Sequence, residues 1–397
     1  MVNRGDTAPP AGAGHHAAAY PDDFYMARAL ALAERGRGRT SPNPIVGAVV
    51  VDPEGVVVGS GCHEFAGGPH AEIHALRAAG ERARGATLYC TLEPCSHVGR
   101  TGPCAPQVAA AGISRVVAAV EDPNHLVQGR GTAILKERGV QVTVGVMGDE
   151  ARALNRPFFS LMLRGRPFVT LKVAISQDGR ISAAPGVRTA LTGPPANRFV
   201  HRERAEVDAL AVGSGTVLCD DPLLTARGAY RHRPLTRVIF DTRLRTPPTA
   251  RVLSTLGAGP VIIITTPSAA AGSQDRLAAL RAAGADVALV SERPGAAACA
   301  APDQSGLSGE AHLRAALELL GARGVSSLIV EGGATLHRSL WDAKLVDRVQ
   351  MFRTPHSLGP GALEWLPLVA TGRGLSGVVT TQLGADTLIE GHVHWTD

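Results

Sequence analysis

Aromatic residues make up only 4% of the 397-residue chain. Platforms that hold single-stranded nucleic acid stack its bases on aromatic side chains, so this scarcity argues against one. Long apolar runs are missing too: none approaches the roughly 18 residues that a membrane-spanning helix needs. The first twenty residues, rich in Ala, Gly and Pro with His15-His16, lack a basic stretch leading into an apolar one. Residues 1–21 therefore read as a flexible tail and not as a secretory signal. Six cysteines are scattered from position 62 to 299. That usage fits a reducing compartment better than a disulfide framework, and so points to the cytoplasm. Positive charge is in modest excess, +5, from dispersed arginines with no long basic run. Ordinary surface charge is the plain reading, and arginines that meet phosphate on small ligands the functional one. What is present is a globular composition, 45% hydrophobic and 19% charged, in a chain long enough for two or three domains.

The densest chemistry lies between residues 70 and 104. His70-Ala71-Glu72 is followed by Thr91-Leu92-Glu93-Pro94-Cys95 and then by Cys104. His70, Cys95 and Cys104 supply three metal ligands and Glu72 a carboxylate that does not ligate. Three ligands suit a catalytic zinc, one per chain, because a structural zinc is closed by four. Such a zinc would lower the pKa of a water in its open position toward about 7, and Glu72 would move the protons of a hydrolytic deamination. The competing reading is a closed zinc knuckle with His74 or His97 as fourth ligand, which leaves Glu72 without a role. Cys62 and Cys90 read as small buried hydrophobes. Eight residues separate Cys95 from Cys104, more than the two of the common zinc-deaminase pattern, and they include His97 and Arg100, which suit a phosphorylated substrate.

The pattern around these residues predicts an α/β layer sandwich over residues 22–150. A helix spans Phe24 to Arg35, strands run over Ile45–Val51 and Val56–Val58, and a helix covers His70 to Ala83, started by Gly67-Gly68-Pro69. Then come a strand at Ala86–Leu92, a helix opened by Pro94-Cys95, a strand at Arg115–Val120, a helix at Thr132–Arg138 and a strand at Val140–Val144. Residues 151–166 read as a helical linker. The second half, 167–397, restarts the grammar with strands at Phe168–Ile175, Ala209–Val212, Thr236–Phe240, Val261–Thr265, Val287–Val290 and Ser327–Val330. Residues 267–274 and 294–309 read as loops, and no internal repeat is visible. This half has no Gly-x-Gly-x-x-Gly. Glu331-Gly332-Gly333-Ala334-Thr335-Leu336 and Gly213-Ser214-Gly215-Thr216 are glycine turns at helix starts that could hold phosphate, a weak signal when taken alone.

Several runs resemble one family specifically: Pro42-Asn43-Pro44-Ile45-Val46-Gly47, Gly68 to Glu72, Thr91 to His97, Gly99-Arg100-Thr101, Asp122-Pro123-Asn124 and Gly129-Arg130-Gly131. In the second half Leu171 to Ala174, Ser176 to Arg180, Asp220 to Arg227 and Glu331-Gly332-Gly333 add to it. Together they resemble the bacterial bifunctional riboflavin-biosynthesis deaminase/reductase. The resemblance implies a cytidine-deaminase-like three-layer α/β/α domain followed by a dihydrofolate-reductase-like α/β domain. It implies zinc-dependent deamination of 2,5-diamino-6-ribosylamino-4(3H)-pyrimidinone 5′-phosphate, then NADPH-dependent reduction of the ribosyl to the ribityl group. By position, Asn43, His63, His97 and Arg100 would meet the first substrate. Lys172, Arg204, Leu224, Arg227 and Glu331 would meet the second. Ala174, Ala190, Thr192, Thr216, Asp220 and Gly332 to Leu336 (Gly333, Ala334 and Thr335 included) would meet NADPH. The partner is then a phosphorylated small molecule, with no nucleic acid and no membrane, and the family suggests a homodimer or tetramer.

The chain also departs from the family. Where members commonly read Ser-x-Trp-Ile-Thr it has Arg188-Thr189-Ala190-Leu191-Thr192, a family arginine is Asn197, and Gly102 stands where proline is frequent. Arg188 is expected to compensate by meeting a phosphate. Two competing readings stand beside this one: an active deaminase with a degenerate, non-reducing second domain, and a nucleic-acid-editing deaminase, against which the aromatic scarcity and dispersed arginines weigh.

Overall fold

The computed structural model describes residues 20–96, 102–124, 127–291 and 308–394. The chain divides into two compact units, one of residues up to Gly36 with Val46–Leu154, the other of Arg37–Ile45 with Asn155–Asp397.

The first unit runs α1 (Asp22–Ala33), β1 (Gly47–Val51), β2 (Val57–Cys62), α2 (Ala71–Ala79), β3 (Thr87–Cys90), α3 (Cys104–Ala110), β4 (Arg115–Ala118), α4 (Arg130–Glu137), β5 (Gln141–Val144) and α5 (Gly148–Leu154). Its sheet has the order β2-β1-β3-β4-β5. The β1 strand is antiparallel to β2 and β3, whereas β3, β4 and β5 are parallel. Every residue of β1 is buried, which is why its sequence is an uninterrupted Gly-Ala-Val-Val-Val and not an alternation. Asp22 fastens the start of α1 to the sheet, accepting two hydrogen bonds from Arg115 (2.8 and 2.7 Å) and one from the Tyr89 hydroxyl (2.8 Å). The helix expected to open at Pro94-Cys95 does not begin there among the described residues. Residues 94–96 carry no regular structure, and the next helix opens at Cys104. The Cys95 carbonyl instead accepts the Ala105 N–H (3.1 Å), so the first turn of α3 docks on the residue expected to begin a helix itself.

The second unit runs α6 (Arg156–Arg164), β6 (Phe168–Ile175), β7 (Arg180–Ser182), α7 (Pro194–Glu206), β8 (Ala209–Gly213), α8 (Ser214–Asp220), β9 (Thr236–Phe240), β10 (Val261–Thr265), α9 (Pro267–Ala271), α10 (Gln274–Ala282), β11 (Asp286–Leu289), α11 (Ser308–Ala322), β12 (Ser327–Val330), α12 (Ala334–Asp342), β13 (Arg348–Arg353), β14 (Leu363–Glu364), α13 (Pro367–Ala370), β15 (Leu375–Leu383) and β16 (Asp386–Val393). The main sheet has the order β11-β10-β9-β8-β12-β6-β13-β16-β15. Its pairs are parallel from β11 through β13, and β16 and β15 add an antiparallel edge. Because β12 inserts between β8 and β6, the strand order reverses there, and a crevice opens at the carboxyl ends of β8 and β12.

The region expected to be a loop at 267–274 holds α9. Most of the stretch 294–309 lies outside the described residues. The linker expected over 151–166 is helical on both sides of Asn155, where the two units meet in sequence. Residues 37–45 group with the second unit. Arg233 donates to the Gly38 and Ser41 carbonyls (3.4 and 2.8 Å), and the Ser41 hydroxyl donates to Asp208 (2.7 Å).

Candidate active sites

In the first unit, His70 stands just before α2 with extended backbone. Two positions along a regular helix point to nearly opposite sides, so His70 and Glu72 can serve one site only because the helix starts between them. The Nδ1 atom of His70 lies 3.4 Å from Cys95 Sγ and 3.3 Å from Cys104 Sγ. The Cys104 N–H also donates to Cys95 Sγ (3.3 Å). Among the described residues these three form the group able to hold a metal, their donor atoms all within 4.8 Å of one another. His74 does not join them, and His97, like Arg100, lies outside the described residues.

The donor set fits zinc. Tetrahedral bonds of about 2.1 Å to nitrogen and 2.3 Å to sulfur put the two donors about 3.6 Å apart. Without a cation the thiols cannot ionise together: hydrogen bonding from Cys104 and His70 holds Cys95 down to about 4, while Cys104 is pushed far up by its bond to Cys95 and by burial. A dication removes that conflict. Glu72 is 3% exposed, and burial, with the neighbouring Cys95 charge, raises its carboxyl to about 7. His63 is buried, its ring 5.3 Å from that of His70, and its Nδ1 hydrogen-bonds the Pro69 carbonyl (3.0 Å), bracing the segment that delivers His70. Asn43 belongs to the 37–45 stretch of the second unit, in a turn closed by its N–H to the Thr40 carbonyl (2.9 Å).

In the second unit a cleft of about 920 Å³ opens where the sheet order reverses. Lys172 and Ala174 on β6, Arg204 on α7, Thr216 and Asp220 on α8, Leu224 and Arg227 beyond it, and Glu331 to Leu336 after β12 all line it. At its centre Arg204 donates to both oxygens of Glu331 (2.8 and 2.6 Å), and Lys172 Nζ stands 4.0 Å away. Burial alone would raise the Glu331 carboxyl, but Arg204 and Lys172 hold it to about 2, and burial lowers the Lys172 ammonium. Gly332 has φ +123°, and a Cβ there would sit 2.7 Å from Thr216 Oγ1. Only glycine lets the two helix starts approach that closely.

Arg188 is exposed on a loop that lines the cleft. That loop is tied down by Cys219 Sγ to the Gly186 carbonyl (3.1 Å) and by the Ala183 N–H to Thr189 Oγ1 (2.9 Å). Ala190 and Thr192, expected at the cofactor, are not in the cleft wall. Ala190 is an exposed methyl, and the Thr192 hydroxyl is engaged by Asn197 Oδ1 (2.9 Å), whose amide returns a bond to the Thr192 carbonyl (3.1 Å). Sequence reasoning missed Arg251, Cys219 and Ser182 in the wall. Only the fold brings them there, and no local pattern marks them.

Residues 20–120 match the family model for the cytidine and deoxycytidylate deaminase zinc-binding region, and residues 167–367 that for the RibD C-terminal domain. The chain is 40% identical over 339 residues to riboflavin biosynthesis protein RibD of Bacillus amyloliquefaciens, covering 85% of each, and 39% identical over 353 residues to that of Escherichia coli, covering 86% and 89%. It belongs to the RibD family. Among solved structures, Acinetobacter baumannii RibD superposes with a TM-score of 0.79 at 34% identity, over 94% of this chain and 99% of that one. The Thermotoga maritima diaminohydroxyphosphoribosylaminopyrimidine deaminase/5-amino-6-(5-phosphoribosylamino)uracil reductase gives 0.75 at 32% identity, over 94% and 99%. The chain therefore joins a cytidine-deaminase-like domain to a dihydrofolate-reductase-like one. It is a bifunctional enzyme of riboflavin biosynthesis, a zinc-dependent deaminase and an NADPH-dependent reductase.

Proposed function

We propose that residues 22–150 deaminate 2,5-diamino-6-ribosylamino-4(3H)-pyrimidinone 5′-phosphate and that residues 167–397, joined by 151–166, reduce the product's ribosyl group. The observation that carries the first half is the convergence of His70, Cys95 and Cys104 beside a buried carboxylate that is not one of them. These three residues would hold zinc, which would supply a water whose pKa is lowered toward about 7. Glu72 would take one proton of that water as its oxygen adds to the ring carbon bearing the exocyclic amine, and pass it to the adjacent ring nitrogen. It would then move the remaining hydroxyl proton to the amine nitrogen, which leaves as ammonia as the carbonyl forms. His63 steadies the approach to His70, Asn43 meets the base or ribose, and His97 and Arg100 are assigned to the phosphate.

In the second half the cleft would hold NADPH, which would supply the hydride that reduces the opened sugar imine. Thr216, Asp220, Ala174 and the Gly332-Gly333-Ala334-Thr335-Leu336 turn are assigned to the cofactor, whose phosphates the backbone N–H groups of that turn could hold. Lys172, Arg204, Leu224, Arg227 and Glu331 are assigned to the substrate, and Arg188 to a phosphate. The continuous cleft lined by these residues favours an active reductase over a degenerate one. Glu72→Gln tests the first assignment: zinc stays at one per chain, deamination falls at least a thousandfold, and reduction of supplied product is unchanged. Zinc loss in that variant would make Glu72 a ligand and the proton path wrong.

We extend the proposal to a cytoplasmic homo-oligomer that engages neither nucleic acid nor membrane. The low aromatic content and dispersed arginines support the first exclusion, and salt-sensitive binding to single-stranded DNA or RNA would contradict it. Among the described residues no helix is long and apolar enough to cross a membrane. The oligomer rests on the family resemblance, and light scattering of the purified protein measures it.

A further inference from the structure

Glu93 stands between β3 and the Pro94-Cys95 pair and is 2% exposed. A carboxylate so placed must be satisfied by protein donors, and among the described residues it has three. Oε2 accepts the N–H groups of Asp122 (3.3 Å) and Gly129 (3.0 Å), and Oε1 that of Thr132 (3.0 Å). Gly129 and Thr132 belong to the start of α4, whose N-cap is Gly129 itself and has no side chain to offer. Glu93 thus does from another element what an N-cap residue does locally, and its negative charge meets the positive end of the helix. The same helix start leans on the next residue. A Cβ at Gly131 would lie 1.9 Å from the Pro94 carbonyl oxygen, so backbone meets backbone there.

We infer that Glu93 is a positioning residue for the metal centre. It clamps the Asp122 turn and the start of α4 against residues 93–95, and so fixes where Cys95 Sγ stands relative to His70 and Cys104. The inference rests on the reading that those three residues hold zinc. Glutamine in its place keeps one acceptor oxygen and turns an NH₂ group toward an N–H donor. One side of the clamp then opens while volume is preserved.

The test uses full-length protein loaded with zinc, and reads zinc per chain and the rate of zinc transfer to a chromogenic chelator. Wild type holding one zinc supports the underlying reading; wild type holding none removes that reading and the inference with it. Glu93→Gln is expected to release zinc at least tenfold faster, with NADPH-dependent reduction of supplied deaminated product unchanged. Thr132→Ala is the control. It removes the hydroxyl bond to the Gly129 carbonyl (2.9 Å) within the same helix start, leaves the carboxylate's donors in place, and is expected to release zinc at the wild-type rate. Wild-type release from Glu93→Gln, or equal acceleration in the control, overturns the inference. Should Glu93→Gln not fold, Glu93→Asp, which keeps the charge but shortens its reach, is to show the same faster release, and wild-type release from it is equally decisive against the inference.

Discussion

Glu331 sits between two cations at the base of the reductase cleft, its side chain 12% exposed. Its folded-state pKa is about 2 against an ordinary 4.5. A depressed carboxylate stabilises the fold fully above its unfolded value and loses that contribution as pH falls through the folded one. Stability of the wild type relative to Glu331→Gln is therefore expected to be constant above about pH 5 and to shrink between about 4.5 and 2. Denaturant unfolding of both proteins across that range measures it, and a gap independent of pH contradicts it. Removing the charge leaves Arg204 and Lys172 unpaired, at a cost of about 3–5 kcal/mol. Residues of this kind were legible where chemistry dictates both type and spacing, as for His70, Glu72, Cys95 and Cys104. Glu93 was not, because it serves backbone N–H groups that no sequence displays. Thr192 lies outside the cleft wall, its hydroxyl and carbonyl bonded to Asn197, one of the chain's departures from the family.

Among the elements, buried parallel strands announced themselves as apolar runs, and β6, β9, β10 and β12 fall within the expected limits. The β13 strand did not, because Arg348 and Gln350 interrupt its pattern, and their polar ends are absorbed by Glu203 and Glu390 from neighbouring elements. The β15 strand is exposed over most of its length, so no apolar run marks it. The short α9 hides behind Pro267, which looks like a loop residue but is the first helical position, where Thr266 caps the Ala269 N–H (3.1 Å). Between elements, Asp347 acts as a pin. It is 6% exposed and accepts from Arg166 twice (2.7 and 3.0 Å), from Arg164 (2.5 Å) and from the Val169 N–H (2.8 Å), holding the end of α6 and the start of β6 to the turn before β13. Asp347→Ala strands the buried Arg166 and is expected to destabilise the protein by about 3–5 kcal/mol. Denaturant unfolding would detect this, and a loss below 1 kcal/mol would mean that water replaces the carboxylate.

For the whole molecule, two α/β units with separate chemistries were readable from the restart of the strand–helix pattern. That 37–45 groups with the second unit was not, since a stretch ahead of β1 carries no local mark of where it packs. The central claim is a division of labour: zinc chemistry at His70, Cys95 and Cys104, and hydride transfer in the cleft around Glu331. The most direct measurement follows NADPH oxidation by one preparation before and after zinc is stripped by a chelator. The intact enzyme is expected to oxidise NADPH when given the diaminopyrimidine phosphate. The stripped enzyme is expected to do so only when given the deaminated product, at an undiminished rate. Stripped enzyme that still oxidises NADPH with the diamino compound, or that no longer reduces the deaminated one, would contradict the account.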